Sequence, residues 1–198
     1  MFVTFEGLDG SGKTTQADLL RQYLEGQGRD VVATREPGGT ELGERIRELL
    51  LQGGDISAWA EAALFAAARA ELVAQVIAPA LSRGADVVCD RYLDSSLAYQ
   101  GIARGLGVEQ VLALNGNGIR GILPDVTFLL LLDADEAARR SGGDPDRIER
   151  EGGDFRRAVE TAYRELAQIF PDRVVALDGS RPPDETAREV RERLPSLS

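Results

Sequence analysis

The chain contains no histidine, one cysteine and one lysine. Without imidazole there is no Ser-His dyad, no histidine general base and no histidine-ligated metal centre. The one cysteine, Cys89, has no partner for an internal disulfide and lies in the apolar run Val87-Val88-Cys89. It reads as a small buried hydrophobe rather than a thiol catalyst. Long apolar runs are also missing, since none approaches the roughly 18 residues of a membrane span. The opening residues Met1-Phe-Val-Thr-Phe5 enter a strand-like run without the pattern of an export signal. The expectation is a cytoplasmic protein with no membrane attachment. Positive charge is in deficit as well: 33 acids face 23 bases, a formal charge of −10. That balance opposes nonspecific binding to a nucleic-acid backbone. Chemistry is left to carboxylates, hydroxyls, arginines, the lysine and a metal held by oxygen.

What is present alternates. Residues 2–6 read as a strand, Thr14–Gln27 as an amphipathic helix with Leu19, Leu20, Tyr23 and Leu24 on one face, and Val31–Arg35 as a second strand. A helix follows over Thr40–Leu51, with Leu42, Ile46, Leu49 and Leu50 at helical spacing, and then a long alanine-rich helix from Ser57, bent near Pro79. Asp86–Asp90 is a third strand, followed by helical segments between Ser95 and Gly118. Asp125–Leu132 reads as a fourth strand whose unbroken apolar face suits a strand covered on both sides. A helix from about Asp154, a strand over Arg173–Leu177 and a helix over Asp184–Leu194 complete the order. Alternating strands and helices predict an α/β fold with a parallel sheet. No interdomain linker interrupts it, so residues 1–198 form one domain. The glycine-rich, charged stretch at about 139–153, which carries Arg139, Arg140, Arg147 and Arg150, is expected to act as a lid.

Gly7-Leu-Asp-Gly-Ser-Gly12-Lys13-Thr14 fits G-x-x-x-x-G-K-[ST], between a predicted strand and a predicted helix. Glycines let successive backbone N–H groups curl round a phosphate, and the helix amino terminus adds partial positive charge. Gly7, Asp9, Gly10, Ser11, Gly12, Lys13, Thr14 and Thr15 are thus the candidate ATP-binding residues, with Lys13 on the β- and γ-phosphates and Thr14 on Mg²⁺. Of the 23 basic residues only Lys13 is a lysine, and it stands where a compact point charge fits better than a planar guanidinium fork. A guanine-nucleotide switch with an Asn-Lys-x-Asp signature is excluded, because the only lysine is already used. Two strand-end acids compete as the second metal support, Asp90 and Asp133; Asp90 is favoured because Arg91 beside it marks a polar site. Transfer to an alcohol would call for a base. A nucleoside monophosphate, with a second phosphate pKa near ~6, presents an oxygen already ionised. Positioning and charge neutralisation by arginine suffice for it.

The set Glu6–Thr15, Thr34-Arg-Glu-Pro-Gly-Gly39, Leu64-Phe-Ala-Ala-Ala-Arg69, Asp90-Arg-Tyr92, Ser95-Ser-Leu-Ala-Tyr-Gln-Gly101 and Asp146-Arg-Ile-Glu149 resembles bacterial thymidylate kinases, in that order, over nearly the whole chain. The resemblance implies a P-loop three-layer fold with a five-stranded parallel sheet ordered 2-3-1-4-5. It implies Mg²⁺-dependent transfer of the γ-phosphoryl of ATP to dTMP by a homodimer. It also implies a dTMP site made of Asp9, Arg35, Glu36, Phe65, Arg69, Arg91, Ser96, Tyr99 and Gln100. Within it, Phe65 would stack on thymine, Arg69 donate to its O4, Ser96 lie against the far edge of the base and Tyr99 crowd the sugar C2′. Asp9 would hold the 3′-hydroxyl, while Arg35 and Arg91 grip the monophosphate. Read from its own helical neighbours alone, Phe65 is a core residue. Lys13, Asp9, Arg91, Arg139, Arg140 and Arg147 are the catalytic candidates, and Thr14 and Asp90 the metal candidates. Two features depart from the family: Ala68 stands where aspartate is common, and the lid is shorter than in some relatives.

Overall fold

Five short runs rich in valine, leucine and phenylalanine pair in parallel: β1 (Phe2–Gly7), β2 (Val31–Arg35), β3 (Asp86–Asp90), β4 (Val126–Leu131) and β5 (Val174–Asp178). Their order is β2-β3-β1-β4-β5, as expected. The computed structural model describes residues 1–142 and 144–194; residue 143, inside the glycine-rich stretch, and residues 195–198 lie outside the described residues. Side chains alternate across the sheet. Val3, Phe5, Val88, Phe128 and Leu130 pack against Leu20 and Leu24 of α1 (Lys13–Gly26) and Val190 of α9 (Pro183–Glu192). Phe2, Val87, Cys89 and Leu129 join the opposite core, built with Leu72, Leu97, Val159 and Tyr163. With both faces covered, β1 and β4 are buried almost throughout, and Cys89 is a free, buried thiol whose pKa burial pushes up.

The helices adjust the expected pattern in ways that have local causes. In α1 the buried stripe is Lys13, Gln16, Leu20 and Leu24, spaced by four along much of its length, whereas Tyr23 is exposed under the Arg191 guanidinium, 5.4 Å from its ring centre. In α2 (Glu41–Gln52) Thr40 caps the start by accepting from Gly43 N at 3.0 Å; Ile46 and Leu50 are buried while Leu42 and Leu49 face outward. The alanine-rich helix is α3 (Ala58–Leu72), a π turn (Val73–Ile77) and α4 (Ala78–Ser82). The irregularity thus begins upstream of Pro79. That proline sits in the first turn of α4, where a missing N–H matters little, and the widened turn before it accommodates the ring. Residues Ala58–Ser82 are long and apolar enough, by length and composition alone, to cross a membrane, which corrects the expectation that no stretch is. Here that helix packs on α2 and on α6 (Val108–Ile119) and buries Glu61 and Arg69. Between β3 and α6, α5 (Leu93–Ser96) runs into a second π turn (Leu97–Ala103) that carries Tyr99 and Gln100. After β4 the chain forms α7 (Ala134–Arg140), a helix the sequence pattern did not reveal, and then α8 (Gly153–Ile169).

Candidate active site

The first functional element lies where β1 ends and α1 begins. Gly7 has φ +138° and a Cβ there would stand 2.5 Å from the Leu130 carbonyl oxygen; Gly10 has φ +84° and its Cβ would meet the Ala137 oxygen at 2.3 Å. The loop is pressed between β4 and the end of α7, and only glycine fits at these two positions. Lys13 is 5% exposed, and its Nζ donates to the Leu8 carbonyl at 2.8 Å and lies 3.5 Å from Asp9 Oδ1. Burial, together with the nearby Arg91, pushes its pKa down.

The metal candidates meet at the next position. Thr14 Oγ1 donates to Asp90 Oδ2 at 2.5 Å, and Asp90 Oδ1 is buried without a hydrogen-bond partner. An orphaned carboxylate oxygen beside a hydroxyl fits a hard cation. Among the described residues no group of three or more His, Cys, Asp or Glu side chains converges. A cation here would draw its other ligands from phosphates and water, as Mg²⁺ does. Asp133 has a different job: its Oδ1 accepts from Asp135 N and Glu136 N, both at 3.0 Å, capping α7.

Three spaces adjoin along the carboxyl edge of the sheet, from β2 and β3 across β1 to β4 and β5, where open α/β sheets bind ligands. The central cleft, about 440 Å³, is lined by Lys13, Thr14, Arg35, Asp90 and Arg91. It shares Asp9, Glu36, Arg47 and Arg91 with a cavity of about 90 Å³ that is also lined by Phe65, Ser96, Tyr99 and Gln100. On its other side it shares Gly12, Thr15 and Arg140 with a pocket of about 320 Å³ lined by Ser11, Gln16 and the β5–α9 turn. Phe65 therefore belongs both to the cavity wall and to the small core of Ile46, Leu50 and Ala68. Ala68 is buried in that core.

Arg91 is the hub between cleft and cavity. Its backbone is left-handed at φ +68°, a conformation costing an ordinary residue about 1–2 kcal/mol. Nη2 donates to Asp9 Oδ1 at 2.7 Å, and the guanidinium lies 5.5 Å from the Tyr99 ring centre. Burial opposes ionisation of Asp9, but Arg91 and Lys13 outweigh it and hold the half-exposed carboxyl below its usual range. Arg35, at the rim, is paired through Nη2 with both Glu44 carboxylate oxygens at 3.0 Å. Gln100 is buried and donates its amide to Glu61 Oε1 at 2.9 Å, which leaves its carbonyl oxygen for the cavity.

Arg69 departs from its expected place. It is 1% exposed and does not line the cavity. Its five N–H groups are taken by Glu36 (Oε1 at 3.2 Å, Oε2 at 2.5 Å), the Tyr92 carbonyl (3.0 Å), Ser96 Oγ (3.1 Å) and Asn115 Oδ1 (2.7 Å). No donor is left over for a thymine O4 in this arrangement. The contact that reaches the cavity wall runs through Ser96, whose hydroxyl accepts from Arg69 and keeps its own proton to give. Glu36 orients Arg69; burial raises its pKa to about 7 against the lowering effect of that arginine.

The four arginines of residues 139–153 separate into distinct places. Arg140 donates to the Gly179 carbonyl at 2.9 Å and to Glu136 at 2.8 Å, beside the phosphate loop. Arg139 is 68% exposed and paired with the same Glu136. Arg147 is drawn away from the cleft: Nε donates to the Leu50 carbonyl at 2.7 Å and Nη2 to Glu61 Oε2 at 2.5 Å. Arg150 lines a surface groove against α2 that shares Arg47, Leu51 and Asp146 with the cavity. Sequence reasoning passed over Arg47, Glu61, Asn115 and Tyr163. Arg47 lies on the flank of the buried Ile46–Leu50 stripe, and its nearness to an apolar helix face was its one signal.

Residues 5–190 match the family model described as thymidylate kinase. A thymidylate kinase of Pelotomaculum thermopropionicum is 52% identical over 185 residues, covering 91% of this chain and 86% of the relative. One from Leifsonia xyli subsp. xyli is 51% identical, covering 98% and 94%. The crystal structure of thymidylate kinase from Ehrlichia chaffeensis superposes with a TM-score of 0.80 at 34% identity, covering 97% of this chain and 96% of that one. With a fold, a phosphate loop and a sequence match that all extend over most of its length, the chain belongs to the thymidylate kinase family.

Proposed function

We propose that the chain transfers the γ-phosphoryl group of ATP to dTMP, giving dTDP and ADP. The observation that carries this reading is the row of three adjoining spaces, with Lys13 in the middle one and Arg91 and Arg140 in its two shared walls. ATP enters through the pocket beside Gln16 and the β5–α9 turn and lays its phosphates over residues 8–15. The thymidine part of dTMP occupies the cavity between Phe65 and Tyr99, with Asp9 at the sugar and Ser96 and Gln100 at the base. Arg91 and Arg35 hold the monophosphate, Arg35 by exchanging Glu44 for it. Thr14 and Asp90 would hold Mg²⁺, which when bound neutralises and orients the β- and γ-phosphates. Lys13 and Arg140 stabilise the charge that spreads over the transferring group. No general base is required, because the acceptor oxygen is already ionised.

Residues 139–153 act as the lid of a single kinase domain, with Arg147 as its anchor on Glu61. The protein is a cytoplasmic homodimer in this reading. Leu42, Leu49, Trp59 and Leu114 support the dimer, since all four are exposed on the adjacent helices α2, α3 and α6. Steady-state turnover with ATP and Mg²⁺ tests the assignment. dTMP should be phosphorylated well above dCMP, UMP and thymidine, and ATP consumption should require a nucleoside monophosphate. Comparable turnover of dCMP or UMP overturns the substrate, and ATP hydrolysis independent of any monophosphate overturns the kinase reading.

A further inference from the structure

Glu6 is wholly buried at the end of β1, on the sheet face turned toward α5 and α8. Four donors converge on its carboxylate. Tyr92 N (2.8 Å) and Ser95 N (3.1 Å) give to Oε1, and the hydroxyls of Ser95 (2.6 Å) and Tyr163 (2.9 Å) give to Oε2. The same two hydroxyl oxygens accept from Arg91 Nη1, at 3.0 and 3.1 Å. With Glu6 ionised every proton in this group has an acceptor, and the direction of each hydroxyl follows from its neighbours. Asp94, another carboxylate nearby, is taken up by Arg173 through contacts of 2.6 and 2.7 Å. Glu6 reaches Arg91 through the two hydroxyls.

We infer that Glu6, Ser95 and Tyr163 form a buried relay that positions Arg91 for the phosphate of the acceptor. Both Nη1 protons are committed to the relay and one Nη2 proton to Asp9, so the guanidinium plane is fixed. Arg91 has five N–H groups, so two remain beyond the three given to Ser95, Tyr163 and Asp9, with the Tyr99 side chain beside them. Those remaining donors are the ones the relay leaves for a phosphate. Tyr163 comes from α8 and Glu6 from β1, so two distant parts of the chain set one side chain. Glu6 and Tyr163 line none of the three spaces and act through Arg91; they are positioning residues. The inference rests on the reading that Arg91 grips the monophosphate.

Calorimetric titration with dTMP and with thymidine, which lacks the phosphate, separates positioning from packing. Tyr163→Phe keeps the edge contact with the Tyr99 ring (centroids 6.2 Å apart) and removes only the hydroxyl. It should weaken dTMP binding about tenfold, as for loss of one hydrogen bond to a charged group, and leave thymidine affinity within about twofold. In turnover assays the KM for dTMP should rise while that for ATP holds. Glu6→Gln should weaken dTMP further, since its amide would face donors; should it not fold, Tyr163→Phe decides. Equal losses for dTMP and thymidine, or no loss for either, overturn the relay. Arg91→Ala distinguishes the two levels: if it lowers the dTMP-to-thymidine affinity ratio and Tyr163→Phe does not, only the relay fails. An unchanged ratio in Arg91→Ala overturns the phosphate grip and the relay with it.

Discussion

The phosphate loop and the segment that follows β4 both carry cationic side chains, but they hold them in opposite ways. In the loop the backbone does the work: Gly7 and Gly10 let it press against β4 and α7, and Lys13 is packed behind it with no carboxylate closer than 3.5 Å. Ser11 Oγ and Asp90 Oδ1 are buried without partners at the same place. In residues 139–153 three of the four arginines are engaged by the protein itself. Arg139 and Arg140 share Glu136, and Arg147 is held by Glu61 and the Leu50 carbonyl. The loop is therefore preorganised for an anion, whereas Arg139, Arg140 and Arg147 must each give up a protein partner before they can serve one. This difference teaches which charges belong to binding at rest and which to closure.

The comparison breaks most visibly at Lys13. A guanidinium is wider than the space behind the loop allows, so Lys13→Arg should lower kcat by more than about 10³-fold with the melting temperature nearly unchanged. A Lys13→Arg protein that turns over dTMP at a near-normal rate would show that charge alone matters there. Next in size is Arg140, the segment's arginine nearest the loop. Arg140→Ala should reduce kcat by about 10²–10³-fold, in the range for losing one donor to developing charge. Arg139→Ala, whose guanidinium faces solvent, should cost no more than about threefold. Equal effects at the two positions would mean that their separation into inward and outward arginines is not kept during turnover.

The third effect concerns the anchor. Glu61 is buried and accepts from Arg104, Arg147 and Gln100. Glu61→Ala strands two largely buried arginines and should lower the unfolding free energy by about 3–5 kcal/mol. Arg147→Met leaves Glu61 paired with Arg104 and should cost about 2 kcal/mol. Denaturant titration measures both. If Arg147→Met is as stable as the parent chain, Arg147 is not an anchor and belongs with Arg139, whose guanidinium faces solvent.

Why the sequence revealed the loop and missed Glu61 has a physical explanation. The phosphate loop is local: strand, glycines, lysine and helix are contiguous, and their spacing alone identifies them. The sheet order is the one the resemblance implied, while the apolar pattern itself placed only β4 in the interior of a covered parallel sheet. Buried ion networks are not local. Glu61 meets Arg104 and Arg147 across 43 and 86 residues, and Glu6 meets Tyr163 across 157. Nothing in helical spacing distinguishes such a glutamate from a solvated one. Arg69 shows the same limit: its position was recognised, but only the packing of α3 against Glu36 and Asn115 reveals that its donors are already spent. α7 was missed because Asp133 was read as a strand-end acid, the weaker rival of Asp90 for the metal, and only its two backbone contacts reveal it as a helix cap.

The smallest effects sharpen that last distinction. Asp90 carries an unpartnered oxygen beside Thr14, while the Asp133 oxygen is used by α7. Asp90→Asn keeps the shape but removes the charge, and should raise the Mg²⁺ concentration for half-maximal turnover by about 10–100-fold, the range for loss of a group that supports a bound metal. Asp133→Ala should leave that concentration alone and instead lower stability by about 1 kcal/mol, as loss of a helix cap does. Titrating Mg²⁺ against activity in both variants, with a denaturant curve for each, reads the two effects separately. A shifted Mg²⁺ requirement in Asp133→Ala with none in Asp90→Asn would reverse the assignment. It would move the metal from the loop side of the cleft toward β4, and the loop would then owe its anion preference to backbone and Lys13 alone.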